Sequence, residues 1–165
     1  MSTTTQVSIV RRALNQQLQL CKRLLAVCEE QTQALIVNDL EKLRELEAEQ
    51  RLCIEQQSKQ EQIRVEAVTS LAKALDLPEL PSLADLLPHL PERESEPLGQ
   101  LKKELMTVLT RLEDVQSRNV QLLQNAQEYV RFSLELITGA MLQPARYGSN
   151  FHAVVAPSFY VDSRV

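Results

Sequence analysis

The sequence predicts an all-α protein, an elongated antiparallel three-helix bundle or coiled coil with a proline-rich connector and an irregular C-terminal tail. Three observations carry this reading. Leu, Ala, Glu, Gln, Lys and Arg are abundant in the 165 residues while glycine occurs only three times, which is the composition of long helices. Apolar residues recur at alternating steps of four and three, the spacing of a helix packed along another helix. Five of the seven prolines, Pro78, Pro81, Pro88, Pro91 and Pro97, cluster in one short region, where no long helix can cross.

The first helix is expected over about residues 4–37, with a seam at Leu14, Leu18, Cys21, Leu25, Cys28, Thr32 and Leu35. The pattern breaks at Asn38 and Asp39, and Asn38 followed three residues later by Glu41 reads as an N-cap with a partial capping box. One unbroken helix from Thr4 to Leu75 would be roughly 100 Å long at 1.5 Å per residue, with no partner long enough to cover it. A helical hairpin is therefore the reading. The second helix, about 39–76, opens on Leu40, Leu43 and Leu46 and closes on Ile54, Val65, Val68, Ala72 and Leu75, but Glu55 to Gln62 contains no apolar residue. That polar stretch is expected on the bundle exterior or beyond the end of its neighbour.

In the connector, Ser82 is placed to cap one short helical turn over about 82–87, whose apolar residues would lid the end of the bundle. The last helix, about 97–141, carries the strongest periodicity: Leu101, Leu105, Val108, Leu112, Val115, Asn119, Leu122, Ala126, Tyr129, Ser133, Leu136 and Ala140. Asn119 on this seam predicts a polar pairing that sets register. A second stripe, Val120, Leu123, Val130, Leu134, Ile137 and Met141, begins beside the first past the midpoint, so the apolar face widens toward the carboxyl end. Either this half faces two neighbouring helices at once, or it leaves a groove open for an incoming helix. All six aromatic residues, Tyr129, Phe132, Tyr147, Phe151, Phe159 and Tyr160, also lie at this end, where large rings supply contact area at low entropy cost. Residues 1–143 are read as the helical bundle. Residues 144–165 mix Pro, Gly and Ser with these rings and valines, and are read as a flexible tail.

Composition narrows the function. The net charge of −4 is spread along the chain, so a phosphate-facing groove for nucleic acid has no support, and Arg11, Arg12, Lys22 and Arg23 read as a solvated helix face. Cys21, Cys28 and Cys53 are odd in number and lack metal-ligand spacing, which fits a reducing cytoplasm; Cys21 and Cys28 share one apolar stripe as small hydrophobes. There is no charged and apolar leader, and the most apolar stretch, Leu134 to Leu142, is short and interrupted by Glu135, so neither cleaved secretion nor membrane insertion is expected. Phosphate loops, paired-cysteine motifs, nucleophile elbows and Glu-x-x-His pairs are all missing, and His89 lies among loop prolines and leucines. The expectation is a binding module with no enzymatic activity, cofactor or metal. Its candidate binding face is Val120, Leu123, Val130, Phe132, Leu134, Ile137 and Met141. The alternative is a structural coiled-coil adaptor or oligomerisation module, in which the same stripe is a permanent homotypic interface.

Several segments carry a resemblance in order along nearly the whole chain: Ala34-Leu35-Ile36-Val37-Asn38-Asp39-Leu40-Glu41-Lys42-Leu43, Arg64 after the polar stretch, Asn119 followed by Leu122 and Leu123, and Arg146-Tyr147-Gly148 before a short tail. Together they resemble the FlgN family of flagellar export chaperones. The resemblance implies a cytoplasmic chaperone, a soluble monomer or weak oligomer, that binds the hook and filament junction proteins FlgK and FlgL before export. It further implies client binding by the carboxyl-terminal part of the last helix, and docking at the export gate protein FlhA through Tyr147 and Gly148.

Overall fold

The computed structural model describes residues 2–78 and 81–139. Three long helices are joined by a hairpin turn and a short lid: α1 (Thr3–Ile36), α2 (Leu40–Ala74), α3 (Leu83–Leu86) with a 3-10 turn at Leu87–His89, and α4 (Glu92–Thr138). No strand occurs among the described residues. α1 is the central helix, packed on both α2 and α4. It runs antiparallel to α2, as the pairs Glu30–Lys42, Arg23–Glu49 and Gln17–Glu61 show. It runs parallel to α4, as Lys22–Glu104, Glu29–Arg111 and Thr32–Asn119 show. The chain thus goes up, down and up again.

Because α1 serves two partners, its buried arc is wider than one seam. Val7, Val10, Ala13, Leu24, Val27 and Ala34 are buried together with Leu14, Leu18, Cys21 and Cys28. The main core joins Val7, Val10, Leu14 and Leu18 to Val68 and Leu71 of α2 and to Leu98 and Leu105 of α4, with Leu83, Leu86 and Leu90 closing the end. Each such leucine contributes about 1.5–3 kcal/mol on leaving water. A second cluster of Leu24, Cys28, Cys53, Leu112 and Val115 lies further along, and a third, of Val27, Ala34 and Leu46, joins α1 and α2. The three cysteines are free and buried. Burial pushes the Cys21 thiol up to about 12 and the Cys28 thiol up to about 11, so both stay neutral and pack as small hydrophobes.

The helix ends have specific causes. At the hairpin, Asn38 adopts a left-handed φ of 57°, and the amides of Asn38 and Asp39 return to the carbonyls of Leu35 and Ala34, a Schellman closure. The N-cap of α2 is therefore Asp39, whose carboxylate accepts from the Lys42 amide at 3.0 Å, and the expected cap Asn38 instead terminates α1. Asp76, at φ 54°, closes α2 in the same way. Ser82 and Asp85 form a full capping box on α3, and the hydrogen bonds from Ser82 hold the Asp85 carboxyl below its ordinary range. α4 begins at Glu92, earlier than the expected Pro97, with Pro97 inside its second turn. The proline removes the hydrogen bond to the carbonyl of Arg93, and both residues are exposed, so solvent limits the penalty. α4 ends at Thr138, ahead of the expected Met141, because Gly139 takes the left-handed C-cap conformation at φ 59°.

The polar stretch Glu55 to Gln62 departs most from expectation, since it lies inside the α1–α2 contact and not on the exterior. Gln57 and Gln60 are buried, Gln60 donates to Gln16 Oε1 at 3.1 Å, and Gln17 Nε2 donates to Glu61 at 2.6 Å. Arg64, only 2 % exposed, grips Glu61 with two bonds of 3.0 and 2.7 Å. Glutamines long enough to reach one another across the helices substitute for apolar side chains in this layer. It is incompletely satisfied: Gln17 Oε1 lacks a hydrogen-bond partner, and the Gln57 carboxamide meets only the Cys21 thiol.

Asn119, on the seam of α4, donates through Nδ2 to the Cys28 carbonyl at 2.9 Å, and its Oδ1 accepts from the Thr32 hydroxyl at 2.5 Å. Asn119→Ala removes both bonds but leaves the Thr32 hydroxyl donating to the Cys28 carbonyl at 3.1 Å, and is expected to cost about 1 kcal/mol in denaturant unfolding. The pair Thr32→Val with Asn119→Leu removes donor and acceptor together and should recover most of that loss. Conversely, Gln57→Leu replaces a buried carboxamide whose one partner is the weakly bonding Cys21 thiol, and should leave stability unchanged or raise it by up to about 1 kcal/mol by the same measurement.

Candidate functional site

On α4 the last buried residue is Asn119, and residues 124–132 are all exposed. The reason is length. With Thr32 beside Asn119, the end of α1 at Ile36 falls level with about residue 123 of α4, and the remaining residues to Thr138 run on for roughly 20 Å at 1.5 Å per residue. Among the described residues, the apolar seam expected to continue through Tyr129 and Leu136 runs past the end of α1. No described helix faces this half of α4 on two sides at once, and Tyr129, Val130, Leu136 and Ile137 stand as an exposed helix surface.

Each expected site residue can be located on this helix. Val120 and Leu123 are half-buried at the edge of the bundle, Leu134 is half-buried, and Val130 and Ile137 are 56 % and 80 % exposed. At 100° per residue Leu123, Val130, Leu134 and Ile137 fall on one face, in line with the buried Leu105 and Leu112 upstream. Phe132 does not join them. It stands two residues from both Val130 and Leu134, which turns it to the opposite side of the helix, where it is 57 % exposed. Met141, Tyr147 and Gly148 lie outside the described residues.

Sequence periodicity assigned Tyr129 and Leu136 to a packed seam, yet they are 72 % and 68 % exposed and share a second ridge with Phe132. Ile36, Val37 and Leu40, at the hairpin turn on the same end of the bundle, are exposed as well. The run Leu35-Ile36-Val37 ahead of a turn was a legible signal, because one helix side cannot bury three consecutive residues. Polar side chains are interleaved with these residues, Gln124, Asn125, Gln127, Glu128 and Ser133 among them; Arg131 and Glu135 form a surface i,i+4 pair at 3.8 Å, and the Thr138 hydroxyl donates to the Leu134 carbonyl.

The arrangement suits surface-to-surface association and offers no reactive constellation. Among the described residues no group of His, Cys, Asp or Glu could hold a metal ion, and no helix is long and apolar enough to cross a membrane. The exposed apolar residues on this face, with Gln127 among them, are of the kind that pack against a second amphipathic helix when one is laid alongside.

In comparisons with known proteins, the family model described as FlgN protein matches residues 1–151, a span that takes in the hairpin, the lid and all of α4. Neither a curated protein nor a solved structure matches the chain.

If the exposed half of α4 takes no part in the folded core, Leu136→Glu and Ile137→Glu should each change unfolding free energy by less than about 0.5 kcal/mol, whereas Leu112→Ala, about two turns before the Asn119 contact, should cost about 3 kcal/mol. Denaturant titrations of the three variants measure the contrast.

Proposed function

We propose that this chain, which belongs to the FlgN family of flagellar export chaperones, carries the hook and filament junction proteins FlgK and FlgL on the carboxyl-terminal half of α4 and hands them to the export gate protein FlhA. The observation that supports the reading is the stretch of α4 beyond Asn119, where Val130, Leu136 and Ile137 are more than half exposed past the end of α1.

A client segment that is unfolded before assembly lays an amphipathic helix along Leu123, Val130, Leu134 and Ile137 and hides its own apolar residues there. Each large aliphatic side chain so covered is worth about 1.5–3 kcal/mol, and the ordering of the client cancels much of that sum. The result is a complex firm enough to prevent aggregation and weak enough to release. The second ridge, Tyr129, Phe132 and Leu136, gives the client's other side a surface to wrap onto. Tyr147 and Gly148 serve the gate, and the setting is the cytoplasm, where client and gate meet.

Co-purification with FlgK and FlgL tests this reading. Leu134→Glu with Ile137→Glu should abolish client capture while the circular dichroism stays helical, and Tyr147→Ala should spare capture and weaken FlhA binding. Capture that survives the double glutamate variant overturns the site. A tight oligomer by sedimentation that takes up neither client would favour the homotypic adaptor instead.

A further inference from the structure

We propose that the cleft between the first half of α1 and the middle of α2 is a docking site for an acidic segment of a partner protein, distinct from the α4 face. The cleft is a shallow depression open to solvent, about 820 Å³ in volume, lined by Arg11, Arg12 and Lys59 among Asn15, Gln16 and Gln60, with no carboxylate in its lining.

Charge distribution sets this surface apart. The chain as a whole is acidic, yet its first 28 residues contain four cations and no Asp or Glu, the first being Glu29. Two of those cations are neutralised within the fold, Lys22 by Glu104 and Arg23 by Glu49. The other two, Arg11 and Arg12, are exposed, line the cleft, and meet Lys59 arriving from α2. The fold thus concentrates three cations around a concavity instead of dispersing them over a solvated face.

The walls indicate the class of occupant. Carboxamides of Asn15, Gln16 and Gln60 supply both donors and acceptors, which suit a peptide backbone, while the cations suit Asp and Glu side chains. A concave surface fits a polypeptide better than the plane of a lipid bilayer, and three cations on a chain of net charge −4 are too few to hold nucleic acid. Because the cleft centres near Asn15, it sits roughly 30 Å along the bundle from the end of α1, so an occupant here and a client on α4 do not collide.

The test is fluorescence anisotropy of a labelled peptide of alternating Glu and Ala, titrated with the full chain. Saturable binding is expected, falling as salt is raised, and weakened at least about tenfold by R11E/R12E/K59E and less by R11Q/R12Q/K59Q. K22E/R23E, which reverses cations outside the cleft, should stay within about twofold of the parent. Absence of binding by the parent chain, equal loss in K22E/R23E, or preference for phosphatidylglycerol vesicles over the peptide would each overturn the proposal. Client capture by R11E/R12E/K59E should be unchanged, which separates this site from the α4 face.

Discussion

The contact of Asn119 with the Cys28 carbonyl and the Thr32 hydroxyl governs the rest of the molecule, because it fixes how far α4 can slide along α1. Leucine seams are tolerant of displacement by a heptad, since one apolar layer substitutes for another. An amide that needs a particular carbonyl and a particular hydroxyl is not. With the register set there, the start of α4 meets the start of α1, and the whole excess length of α4 emerges at the hairpin end. Exposure of the apolar face is thus a consequence of register together with helix length, and no local irregularity is needed to produce it.

The second organising feature is the polar layer around Gln17, Gln57, Gln60, Glu61 and Arg64. α2 contributes no buried apolar residue between Cys53 and Ala67, yet it remains in contact with α1 through this stretch. A buried ion pair contributes less to stability than well-packed aliphatics, and its value lies in specificity, since only one alignment satisfies the Arg64–Glu61–Gln17 chain of bonds. The hairpin and the α1–α4 pair are therefore each registered by a polar contact, one near each end of the central helix's apolar run.

Much of the fold was legible in the sequence. Four–three spacing located the long helices, the proline cluster located the connector, and Ser82 announced the lid. The errors have common physical roots. Periodicity reports which side of a helix is apolar but not whether a neighbour is present, so Tyr129 and Leu136 were assigned to a seam that runs past its partner. The polar run Glu55 to Gln62 was assigned to solvent because hydropathy counts a glutamine as polar whether or not another glutamine meets it. Asn38 and Asp39 exchanged roles because both residues serve as caps, and only backbone conformation distinguishes the left-handed closing residue from the N-cap. For the site, the widening stripe pointed to a half of α4 that is exposed past Asn119, and Phe132 lies across the helix from Val130 and Leu134 because two residues' separation turns it by about 200°.

The three apolar clusters also differ in how many helices they join, and that difference runs in one direction. At the lid, α1, α2, α3 and α4 share a core; further along three helices meet in a smaller one; a third cluster, nearer the turn, joins two; past Asn119, α4 buries no further residue. Cohesion therefore declines steadily from one pole to the other, like a rope whose strands separate toward its working end. Backbone amides should open most readily on α4 past Asn119 and least readily under Leu83 and Leu86. Such a gradient keeps the packing that holds the fold together at the lidded pole, at a distance from the exposed residues of α4.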